Sequence, residues 1–155
     1  HEDHENMNLN AVILLSDPPS NEMHSVLNDP LFSLVIHYLQ GSPLNDVDLY
    51  RAKADQAIAI FLMGNKFSSI PDEEDAQTIL RLFSIRRYIS TTKLSDPLYC
   101  LQLIRPENRR HLTQQGLDND KEVVVCLNEM KMSVLAKTCS FPGTGTMIFN
   151  LLTSF

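Results

Sequence analysis

Apolar and polar positions fall into two alternating kinds of block along this chain. Short, nearly continuous apolar runs read as buried strands, and longer stretches with apolar residues three and four apart read as helices. Leu9 to Ser16 is the first strand, ended by Asp17-Pro18-Pro19. Ser20 then caps a short helix with Met23, Val26 and Leu27 at i, i+3 and i+4, and Asn28-Asp29-Pro30 breaks it. Leu34 to Leu39 is apolar and β-prone, and Gly41 stops it. Asn45 caps the next helix, with Asp46 and Asp48 in its first turn. Asp48 stands three residues after Asn45, which makes a variant of the capping box. Ala57 to Met63 is a continuous apolar run, too short to span a membrane and typical of a buried parallel strand.

Pro71 to Ile89 carries the longest helix pattern. Pro71 suits the first helical position, Asp72 to Asp75 load the positive end, and Arg86-Arg87 load the negative end. Ala76, Ile79, Leu80 and Phe83 form one apolar stripe, which Leu82 and Ile85 widen. Ser90 to Pro97 reads as a connector and Leu98 to Ile104 as a strand. Pro106 opens a short helix through Leu112, Gln114 to Lys121 is loop-like, and Glu122 to Cys126 is the last strand. From Leu127 the pattern is helical, with Leu127, Met130, Val134 and Leu135, a break at Phe141-Pro142-Gly143, and a second helix from Thr146 to Thr153. Strands alternating with helices predict a doubly wound α/β core over residues 1–126, with a helical pair over residues 127–155. A strand–helix–strand crossover such as Leu34 to Met63 almost always forces a parallel sheet with helices on its faces.

Composition narrows the function more than the fold. A formal net charge of -6 over 155 residues argues against a nucleic-acid partner. No apolar run approaches ~20 residues, so this stretch holds no membrane span of its own. Cys100, Cys126 and Cys139 are odd in number and lie in or beside apolar segments, as reduced core thiols do. The chain begins His1-Glu2-Asp3-His4-Glu5, without an initiator Met, and reads as a cut inside a larger protein.

Candidate chemistry is sparse. A dinucleotide site needs a glycine-rich turn between a strand and a helix, and no G-x-G-x-x-G exists here. Gly143-Thr144-Gly145 falls between two helices and reads as the turn joining them. Asp17, at a strand end, is placed either to bind a ribose or to make the turn before Pro18. Ser84, Ser133 and Thr138 have no paired His in view, and His24, His37 and His111 are scattered singly, so no catalytic residue is expected. Two carboxylate clusters bear on cation binding: the terminal segment from His1 to Glu5, and Asp72 to Asp75, which helix-dipole compensation also explains.

The ordered motifs carry a family resemblance. Gln40-Gly41-Ser42-Pro43-Leu44-Asn45, Asp48-Leu49-x-Arg51-Ala52-Lys53 and Ala57-x-Ala59-Ile60-Phe61-Leu62 resemble the RCK domain (regulator of potassium conductance) of Slo-type potassium channels. Val12 to Pro19 with Glu22-Met23, Glu74-Asp75-Ala76, Thr78 to Arg81, Ser84-Ile85-Arg86, Arg105-Pro106-Glu107-Asn108, Cys126-Leu127-x-Glu129-x-Lys131, Cys139 and Pro142-Gly143 extend it over nearly the whole chain. The resemblance implies a Rossmann-like core lacking its first strand and helix, then a helix–turn–helix crossover. It implies a non-enzymatic gating-ring domain on the cytoplasmic side of a membrane channel, coupling an intracellular cation such as calcium to the pore. The implied partners are other RCK domains in a tetrameric ring and the pore domain. Asp3 aligns with a calcium-binding carboxylate of such channels, whose other ligands fall beyond Phe155. Asn10 and His37 occupy positions where such members carry magnesium-linked glutamates. No cofactor is implied within this stretch. A Rossmann-type NAD-binding protein, either a transport regulator or an oxidoreductase, is the alternative.

Overall fold

A computed structural model describes residues 10–92, 97–113 and 121–153. The chain divides into two compact units. One comprises His1–Ala57 with Ser84–Ser95, the other Ile58–Phe83 with Asp96–Phe155.

In the first unit, β1 (Ala11–Leu15) pairs in parallel with β2 (Ile36–Gln40), Ala11 opposite Ile36 and Leu15 opposite Gln40. Between them runs α1 (Asn21–Leu27), and its cap is the expected one, with the Ser20 hydroxyl accepting the Met23 N–H. Asn45 caps α2 (Asp46–Arg51) by accepting the Val47 N–H, again as its position predicts. Asp48 does not complete a capping box. Its carboxylate reaches back past Asn45 to accept the Ser42 N–H at 3.1 Å, because the chain folds over at Gly41 and Ser42. A short 3-10 turn, Ala54–Gln56, follows Lys53, a non-glycine residue at φ 53°.

In the second unit, β3 (Ala59–Leu62), β4 (Leu98–Leu103) and β5 (Glu122–Cys126) form a parallel sheet in that order. Leu62 stands opposite Leu101, and Leu101 opposite Val124. Successive right-handed crossovers in one direction place their helices on the same face. The register divides accordingly: Leu62, Tyr99, Leu101 and Leu103 are buried. Phe61, in the row with Cys100 and Val123, is 67% exposed on the other face.

The long helix α3 (Pro71–Thr92) runs into the stretch expected to be a connector. Its buried positions are Asp75, Thr78, Ile79, Leu82, Ile85, Tyr88 and Ile89, while Leu80 is 58% exposed and Ala76 is also exposed. The expected stripe is therefore rotated. Asp75 and Thr78 are polar, yet each finds hydrogen bonds inside, and the buried side follows them. Beyond β4, a 3-10 turn at Pro106–Arg109 leads into α4 (Arg110–Thr113). After β5 come α5 (Leu127–Ser140) and α6 (Thr144–Thr153).

Candidate functional site

Two features of the second unit bear on function. The first is a clasp at the carboxyl end of β4. Asp75, 1% exposed, accepts the Ile104 N–H at 2.7 Å, the Arg105 N–H at 3.0 Å and the Asn108 side-chain amide at 2.8 Å. Asp72, one turn earlier on α3, accepts Arg105 Nη1 at 3.0 Å and the Asn108 amide at 3.2 Å. Glu74 turns the other way, accepting the Asn65 N–H at 3.1 Å. Asp72, Glu74 and Asp75 in the acidic opening of α3 are thus held by protein donors. Sequence reasoning assigned it to the helix dipole and missed the clasp; the signal was the Arg105-Pro106-Glu107-Asn108 segment, whose donors follow a strand end.

The second feature is a helical arm. Every α5 residue from Asn128 to Ser140 is exposed. The Asn128 N–H binds the Ile104 carbonyl at 3.2 Å, which ties the start of α5 to the end of β4. Gly143, at φ +93°, turns the chain into α6, as expected for a helix-joining turn. This left-handed conformation favours glycine. α6 is apolar on most sides, the pattern of a buried helix. Yet Met147 is 63%, Phe149 65% and Leu151 55% exposed. Gly143, Thr146, Met147, Asn150 and Leu151 line an open groove along it.

The other sequence candidates are not brought together. Asp3 lies outside the described residues. Among the described residues no cluster of three or more His, Cys, Asp or Glu side chains is placed to hold a metal. Asn10 and His37 are both exposed. Asp17 sits in a bend after β1: its carbonyl accepts the Tyr38 hydroxyl, and the Ser16 carbonyl accepts the Gln40 amide at 3.1 Å. Cys126 is buried, and burial foremost, then Glu129, pushes its thiol pKa up, so it stays a protonated core residue. Burial likewise raises the Tyr88 hydroxyl, with Asp55, Tyr50 and Asp46 adding to it. No helix among the described residues is long and apolar enough to cross a membrane.

Parallel strands with intervening helices, ending in an exposed helix–turn–helix arm, define an α/β domain of the Rossmann-like class. Residues 1–113 match the family model of the calcium-activated potassium channel slowpoke-like RCK domain, and residues 122–155 match that of the calcium-activated BK potassium channel alpha subunit. The chain belongs to the Slo-like RCK domain family. It is 32% identical over 158 residues to the calcium-activated potassium channel slowpoke of Drosophila melanogaster, covering 97% of this chain and 12% of that channel. Its fold is similar to the human SLO3 gating ring, with a TM-score of 0.72 and 24% identity over 93% of this chain and 25% of that one. The chain thus spans a small part of the relatives it matches.

Proposed function

We propose that this chain is a regulatory module, not a catalyst, on the intracellular side of a cation-activated potassium channel. It works in a ring with other RCK domains and passes ligand-driven movement to the pore. Residues 1–126 serve as the core and residues 127–155 as the arm that packs on a neighbouring domain. Asp3 is one carboxylate of a calcium site completed by residues outside this stretch, since calcium takes 6–8 oxygens. The arm carries this reading: in a family of channel domains, α5 and α6 leave Met147, Phe149 and Leu151 without cover from their own sheet. Large exposed apolar patches on a folded domain mark interaction surfaces. A ligand that binds one ring arrangement better than another then shifts the pore equilibrium by its differential affinity.

The test is electrical. Met147→Asp with Leu151→Asp, introduced into the channel that carries this domain, is expected to lose most of the calcium response while the channel still conducts potassium. An unchanged calcium response in the double variant overturns the reading.

A further inference from the structure

We infer that the end of β4 is a built anion pocket that the chain fills with its own carboxylate, and that it accepts a free small carboxylate once Asp75 is removed. Asp75 sits 1% exposed and accepts two consecutive backbone N–H groups, from Ile104 and Arg105, together with the Asn108 side-chain amide, at 2.7 to 3.0 Å. Those three donors converge on one carboxylate. The Arg105 guanidinium does not neutralise it; it binds the exposed Asp72 at 3.0 Å instead. Asp75 is therefore held by neutral N–H donors, as a bound anion would be, and Asp72 with Arg105 forms a separate ion pair beside it.

The donors belong to the strand end and the turn after it, not to α3. The Ile104 carbonyl accepts the Asn128 N–H at 3.2 Å, and the Asn108 amide also touches Asp72, so both groups have anchors independent of Asp75. Deleting the carboxylate leaves the donors in place and unmatched, in a space of carboxylate size. Buried donors without acceptors are costly, so a free carboxylate that restores them binds the folded state alone. Alanine is the apt replacement, because it suits a helix and creates no new polar group.

The experiment is thermal unfolding of this chain and of Asp75→Ala in sodium formate or in sodium chloride of equal ionic strength. Asp75→Ala is expected to unfold earlier than the parent in chloride and to regain stability in formate. At a formate concentration ten times its dissociation constant the folded-to-unfolded ratio rises about elevenfold. The parent and Asp75→Asn, whose pockets are filled, are expected to respond alike to the two salts. Adding Asn108→Ala to Asp75→Ala is expected to weaken the formate response. If Asp75→Ala does not fold in chloride, refolding in formate is expected to recover it. Equal behaviour of Asp75→Ala in the two salts, failure to fold in either, or an equal formate gain in the parent overturns the inference.

Discussion

Gly41 lies so close to Asp48 that a Cβ built on it would meet the Asp48 carboxyl carbon at 2.7 Å. The Asp48 carboxylate cannot simply swing away, because it accepts the Ser42 N–H, the Asn45 side-chain amide at 3.2 Å and Arg51 Nη1 at 3.0 Å. Gly41→Ala is therefore expected to cost about 1–3 kcal/mol, as overpacking does. Asp48→Ala in the same chain removes the carboxyl group and leaves only the Asp48 Cβ, at 3.0 Å, so the two substitutions together should cost less than their sum. A double-mutant cycle by chemical denaturation measures this coupling.

The same carboxylate makes stability depend on pH. The Ser42 N–H, foremost, holds the Asp48 pKa below its ordinary value of 3.8; burial opposes this, and the Arg51 hydrogen bond and charge add to it. A folded pKa below the unfolded one stabilises the fold fully above the unfolded value and loses that contribution as pH falls through the folded one. Asp48→Asn should therefore be less stable than the parent at neutral pH. The difference should close on acidification below the ordinary carboxylate range, as followed by denaturant midpoints against pH.

Lys53 adopts φ 53° between α2 and the following 3-10 turn. A left-handed conformation costs a residue with a Cβ about 1–2 kcal/mol, and more when the side chain is β-branched. Lys53→Gly is expected to match or exceed the parent in stability by up to about 1 kcal/mol, since glycine's greater freedom when unfolded offsets part of the gain. Lys53→Val is expected to unfold at lower denaturant.

The legible parts of this chain were those set by neighbours in sequence. Ser20 and Asn45 cap their helices because the bonds they make span three and two residues. Gly143 turns α5 into α6 because its conformation is local. The rotated face of α3 was not legible. Asp75 and Thr78 look like surface residues until Ile104, 29 positions away, and the Glu74 carbonyl are found to satisfy them. The Asp48 contact was half legible: the charge near Asn45 was expected, but its partner Ser42 depends on how the chain folds over at Gly41. The clasp at β4 was missed for the same reason, since its donors belong to one segment and its acceptors to another.

Self-association through the arm tests the central claim most directly. Burying an exposed Met, Phe or Leu contributes about 1.5–3 kcal/mol. Met147, Phe149 and Leu151 are 63%, 65% and 55% exposed on α6, so a second copy that covers them removes apolar surface from water. Sedimentation equilibrium of this chain is expected to show reversible association at micromolar concentration, and Met147→Asp with Leu151→Asp is expected to leave a folded monomer with unchanged circular dichroism. A parent chain that stays monomeric across that range, or a double variant that associates as strongly as the parent, would contradict the account.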